Sequence, residues 1–138
     1  MRRRVGLFGI VGVVGVVAAA QAQTPSPFDG TYRFVSSANV NATYTDRTGR
    51  TGQCPARRAG PVHIENGQVR YTTTSGYKLK GSVGSQGQLQ LALVAPPNAG
   101  SSPLNLSVTG QIDGTGAMRV RQTGSSCSYD FVWQKAQQ

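Results

Sequence analysis

Acidic side chains are scarce in this 138-residue chain: Asp29, Asp46, Glu65, Asp113 and Asp130 stand against fourteen lysines and arginines, for a formal net charge of +9. Histidine is scarcer still, with His63 alone. A hydrolase or transferase needs a nucleophile, a base and an orienting group within hydrogen-bond reach, and few combinations here supply them. Asp29 and Asp113 each precede a glycine, where turn geometry favours aspartate. Glu65 lies beside Asn66-Gly67, and no carboxylate pair has the relationship a glycosidase uses. The chain lacks G-x-S-x-G, H-E-x-x-H and a phosphate loop. The expectation is a protein with no catalytic residue and no cofactor, not an enzyme.

Cysteine is limited to Cys54 and Cys127. Two thiols and one histidine do not fill a tetrahedral shell, so no metal site is expected. An even pair in a small exported domain reads as a disulfide, and closing so long a loop is worth about 4 kcal/mol in the chain-entropy model. Helical periodicity is absent, and Glu65 is the only glutamate, which speaks against a substantial helix.

The one long uncharged run is at the start. Arg2, Arg3 and Arg4 precede Val5 to Ala20, and Ala20-Gln21-Ala22 follows. That order is the positive region, apolar region and A-x-A site of a secretory signal peptide. The run is diluted by Gly6, Gly9, Gly12 and Gly15 and falls short of the roughly 20 apolar residues that span a bilayer. Residues 1–22 are therefore expected to be removed, leaving no membrane span and a periplasmic or secreted protein. Without the three signal arginines, eleven basic residues remain against five acidic ones, a net +6.

What is abundant is β-hairpin grammar. Residues 23–27 contain Pro25 and Pro27 and read as an extended leader. Residues 28–135 form a single all-β domain, followed by the tail 136–138. The clearest signal is Val62 to Tyr71, where apolar and polar residues alternate on both sides of Asn66-Gly67, the pair a type I′ turn requires. Val62, Ile64, Val69 and Tyr71 are expected inside, with His63, Glu65, Gln68 and Arg70 outside. The pattern G-x-φ-x-x-x-G-x-φ-x-φ runs from Gly81 to Leu91 and again from Gly110 to Val120, with a looser copy from Gly60 to Tyr71. Successive hairpins of a meander need the same turn chemistry, which accounts for the repeat.

Further strands are expected at 31–35, 38–45, 76–83, 89–94, 104–112, 118–123 and 127–135. In the last, Cys127, Tyr129, Phe131 and Trp133 share the core face. About eight short strands joined by tight turns point to an antiparallel meander forming a small up-and-down barrel or curled sheet, with a two-sheet β-sandwich as the other arrangement. Two connections, Asp46 to Gly60 and Ala95 to Pro103, are long and need not be packed.

Arg47, Arg50, Arg57 and Arg58 fall in the first of these, and Cys54 ties its middle to the last strand. Four guanidinium groups on a tethered loop form a candidate anion-binding site, since each pairs bidentately with phosphate or carboxylate. The plain alternative is a solvated loop. Only Tyr44 stands near for base stacking, so nucleic acid is not the favoured partner. Asn41-Ala42-Thr43 and Asn105-Leu106-Ser107 match the glycosylation pattern but carry no weight.

The order of Phe28-Asp29-Gly30-Thr31-Tyr32, a central cysteine, the Ile64-to-Val69 hairpin, Gly81-Ser82-Val83 and Cys127-Ser128-Tyr129 resembles that of small exported proteobacterial proteins of unknown function. The resemblance spans residues 28–135. It implies a bacterial envelope or secreted location and a disulfide-closed all-β domain, and it transfers no catalytic residue. The functional expectation is an exported binding module whose partner is an anionic envelope polymer, a small apolar ligand or an exported protein. The alternatives are an inhibitor of an exported protease, or a polyanion- or lipopolysaccharide-binding protein acting through the basic loop. A barrel that holds a ligand inside should show an internal pocket of roughly 300 Å³ or more.

Overall fold

The structure, a computed structural model, describes Gly15 and residues 24–94 and 106–137. Apart from Gly15, the expected signal peptide, together with Gln23 and the Ala95–Pro103 connection, lies outside the described residues. Among the described residues there is no helix. The strands are β1 (Gly30–Asn39), β2 (Thr43–Thr45), β3 (Thr51–Gln53), β4 (Val62–Glu65), β5 (Gln68–Thr72), β6 (Lys78–Val83), β7 (Gln88–Leu93), β8 (Ser107–Ile112), β9 (Ala117–Thr123) and β10 (Ser128–Lys135). Eight of them close into an antiparallel barrel in the order β1-β10-β9-β8-β7-β6-β5-β4, and β2-β3 form a separate two-stranded sheet.

Eight strands leave an interior just wide enough for side chains to fill. Here Trp133, Tyr32, Tyr129, Leu79, Ile112 and Met118 fill it, all nearly inaccessible to solvent. Trp133 packs edge-on against Tyr71 at 5.6 Å between ring centroids and tilted against Phe131 at 5.4 Å. The faces expected for the Val62–Tyr71 hairpin and for the last strand are the faces observed. Asn66 and Gly67 take φ of 51° and 74°, as a type I′ turn demands.

The glycine repeat is now explained by the barrel. Gly81 and Gly110, the first glycines of the two copies, lie inside strands among inward-facing partners: Val69 and Leu91 oppose the first, Leu89 and Val120 the second. A Cβ there would come within 2.0 Å of the Gln90 carbonyl or 2.4 Å of the Arg119 carbonyl. Glycine lets neighbouring strands close tightly at two corners of the barrel.

Three expectations need correction. The strand expected over 38–45 is broken: β1 continues to Asn39, and β2 starts only at Thr43. Asn41 causes the break, because its side chain donates to the carbonyls of Thr43 (2.9 Å) and Ser126 (2.8 Å) and accepts from the Ser128 N–H (2.9 Å). The expected extended leader instead turns at Ser26–Asp29, where the Asp29 N–H donates to the Ser26 carbonyl and the Ser26 N–H to the Asp29 carboxylate, both at 3.0 Å. The connection from Asp46 to Gly60 is packed: it contains β3, and Cys54 and Ala59 are buried.

Candidate functional site

The barrel has two unlike ends. At one, the chain turns tightly at Asn66-Gly67, at Gly84–Gly87 and at Asp113–Gly116, with the Ser26–Asp29 turn packed alongside. At the other lie the β2-β3 sheet, the segment from Cys54 to Pro61, and the Cys54–Cys127 disulfide, whose Cα atoms are 5.6 Å apart.

The segment 54–61 exists because β4 is short. Only Gly30, Thr31 and Tyr32 of β1 pair with β4, which leaves that edge of the rest of β1 without a partner strand. Side chains replace the missing ladder. Asn39 donates to the Cys54 carbonyl (2.7 Å), Ser37 to the Arg57 carbonyl, Tyr129 to the Pro55 carbonyl (2.8 Å) and the Trp133 indole to the Gly60 carbonyl (2.9 Å). Buried backbone carbonyls need partners, and here the core aromatics supply two of them.

Between this segment and the β5-β6 and β9-β10 turns opens a cleft of about 340 Å³. Its aromatic lining is Tyr44, Tyr71, Tyr77, Tyr129 and Phe131, and Thr73, Ser75, Ser125 and Ser126 add hydroxyls. Tyr44 lies over Gly52, where a Cβ would come within 2.4 Å of the ring. Burial pushes the Tyr71 phenol up to about 12, so it stays neutral across the physiological range.

Arg57 and Arg58 are the charged groups of this cleft; no Asp or Glu lines it. The Arg57 guanidinium sits 5.7 Å from the Tyr129 ring centroid, with Nε 3.4 Å from the Tyr129 hydroxyl and a terminal nitrogen 3.3 Å from Ser75 Oγ. Arg58 stacks at 5.5 Å over Phe34. A ring contact on each guanidinium group, and two hydroxyl contacts on Arg57, position them without neutralising their charge.

The four sequence-identified arginines are thus divided. Arg47 and Arg50 lie exposed in the turn between β2 and β3 and do not line the cleft. That turn is built by Asp46, whose Oδ1 accepts from the N–H of Thr48, the Thr48 hydroxyl and the N–H of Arg50 at 2.9, 2.6 and 2.9 Å. Asp113 does the same with Thr115 and Ala117 at 2.8, 2.6 and 3.1 Å. The shared pattern D-x-T-G, present at both places, was the sequence signal for the β2-β3 hairpin.

Asp29 and Asp130 also have structural partners. Asp29 accepts from the N–H groups of Ser26, Asn66 and Gly67; burial alone would raise its pKa, but these bonds together hold it below the ordinary value. Asp130 pairs bidentately with Arg121, both contacts 2.8 Å, and that pairing lowers its pKa. His63 lies exposed on the barrel wall, its Nδ1 3.2 Å from Thr31 Oγ1. Among the described residues no three metal-ligating side chains cluster, and no helix is long and apolar enough to cross a membrane. In comparisons with known proteins, no family model, no curated protein and no solved structure matches this chain.

Proposed function

We propose that this chain is an exported, non-enzymatic binding module whose ligand site is the cleft at the disulfide end. The observation that carries the reading is the pair Arg57 and Arg58, which share an aromatic-lined cleft that no carboxylate lines. A cleft of this kind suits a small ligand with one anionic group, carboxylate or phosphate, attached to a flat or apolar body. The anionic group takes the guanidinium donors, and the body lies against Tyr71, Phe131 and Leu106. The interior is occupied by the core side chains, so this reading puts the ligand at the mouth of the barrel and not inside it.

Several features support the reading without a catalytic role. Asp29, Asp46 and Asp113 are engaged in turns, Asp130 is paired, and His63 lies on the outer wall away from the cleft lining. Export accords with a disulfide and with the opening signal-like segment.

The test is an equilibrium titration of the mature chain with phenyl phosphate. Saturable binding that drops about tenfold or more in Arg57→Gln supports the site, a loss in line with one charge-assisted hydrogen bond. Binding that is absent, or unchanged in Arg57→Gln, overturns it.

A second reading is favoured by the β2-β3 hairpin, which is anchored at Cys54 and carries Arg47 and Arg50 near its tip. A protease inhibitor would present such a segment. Stoichiometric inhibition of an arginine-specific exported protease, lost on Arg47→Ala or Arg50→Ala, would establish it.

A further inference from the structure

The outer wall formed by β4, β5 and β6 carries charges that folding alone does not account for. His63 on β4 lies directly opposite Arg70 on β5, and Arg70 directly opposite Lys80 on β6. Lys78 stands two residues from Lys80 on the same face, and all four side chains are exposed. Two strand steps of about 4.8 Å make this row about 10 Å long. Like charges directly opposite each other on neighbouring strands destabilise a sheet.

The same barrel shows the usual arrangement elsewhere. On β9 and β10, Arg121 lies directly opposite Asp130 and pairs with it. That ion pair is the only one among the described residues; Glu65, diagonal to Arg70, makes none. The row instead borders a groove of about 380 Å³ lined by His63, Arg70, Lys78, Lys80 and the Gly60-Pro61 step, with no acidic residue in the lining.

We infer that this wall is a docking face for an acidic polysaccharide, with the guanidinium and ammonium groups of Arg70, Lys80 and Lys78 taking successive carboxylate or phosphate groups along the chain. The residue types select among polyanions. The one aromatic ring that the row projects outward is His63, whose Nδ1 lies 3.2 Å from Thr31 Oγ1, so the row offers no series of stacking platforms for successive unpaired bases. None of its four side chains is apolar, and among the described residues the exposed apolar ones beside Lys78 are Tyr77 and Val94 alone, less than the apolar face an interfacial surface needs. What remains is a line of donors matched to a polymer that presents its charges along an extended hydrophilic chain. This face is separate from the cleft: the two linings share only Tyr71, a core residue whose side chain is buried.

The probe is polygalacturonate, with phosphatidylglycerol vesicles and a poly-dT oligonucleotide as competing surfaces. The expected result is binding to the polysaccharide that weakens steeply, about tenfold or more, between about 50 mM and about 200 mM salt. The triple variant R70Q/K78Q/K80Q should lose at least a comparable factor, while R47Q/R50Q/R119Q, which removes the same charge from exposed sites elsewhere, should lose much less. Lys80→Gln alone should raise the melting temperature, because it relieves a like-charge pair, while it weakens the polysaccharide complex. Equal losses in the two triple variants would show that net charge alone acts and would overturn the face. Absence of binding at low salt, or tighter binding to the vesicles or the oligonucleotide, would overturn it as well.

Discussion

The hairpin end of the barrel and its disulfide end are built by different means. At the hairpin end, short turns close each strand pair, and aspartate side chains take up the spare backbone N–H groups: Asp29 serves Asn66 and Gly67, and Asp113 serves Thr115 and Ala117. At the disulfide end, β4 is too short to cover β1, and a nonrepetitive segment fills the gap, held by side chains that reach in from β1 and β10 and by Cys54–Cys127. The turns at the first end are closed mostly by residues near in sequence, with Asp29 alone reaching across to Asn66 and Gly67. The second depends on long-range contacts, and those contacts also leave an open cleft with two unneutralised arginines.

The comparison is broken most severely at Trp133. Replacing it by alanine should cost about 3–5 kcal/mol, as large aromatic truncations do, and should also release the Gly60 carbonyl. Chemical denaturation measures the total. Hydrogen exchange should show the segment 54–61 losing protection before the Val62–Tyr71 hairpin does.

Removing the bridge through Cys54→Ser with Cys127→Ser comes next, at about 2–4 kcal/mol. The damage should again concentrate at the disulfide end. If the hairpin end lost protection equally, the two ends would be one cooperative unit and the distinction would fail.

A smaller effect sharpens the hairpin end by pH. The folded-state pKa of Asp29 lies below its ordinary value, because the backbone N–H bonds outweigh the effect of burial. Ionised Asp29 therefore contributes stability fully above its unfolded pKa of about 3.9, and the contribution disappears as pH falls through the lower folded value. Urea unfolding of Asp29→Asn should show a deficit at pH 6 that shrinks toward pH 2. The exposed Arg121–Asp130 pair belongs to neither end, and Arg121→Gln should leave stability nearly unchanged in the same urea measurement.

The same division decides what the sequence disclosed. The Val62–Tyr71 hairpin, the alternation through Tyr129, Phe131 and Trp133 and the barrel class itself were legible because each rests on period-two patterning or a two-residue turn. The break at Asn41 was not, since it depends on Ser126 and Ser128, far away in the chain. The packed segment 54–61 was not either: its partners are Tyr129 and Trp133, and nothing local announces that β4 stops short. The β2-β3 hairpin could have been read from Asp46-Arg47-Thr48-Gly49, the twin of Asp113-Gly114-Thr115-Gly116. Recognising it would have separated Arg47 and Arg50 from Arg57 and Arg58, since a hairpin tip and a cleft wall are different places. Arg70 and Lys80 are ten residues apart in sequence, and only the register makes them neighbours.

The most direct test of the central claim, that the disulfide end holds the ligand site, is amide NMR of the mature chain during titration with phenyl phosphate. The expected result is a set of shifts confined to Arg57, Arg58, Thr73–Ser75 and Gly124–Cys127. They should vanish in R57Q/R58Q and persist in R47Q/R50Q. Shifts that centre on the hairpin-end turns, or that disappear equally in both double variants, would contradict the account.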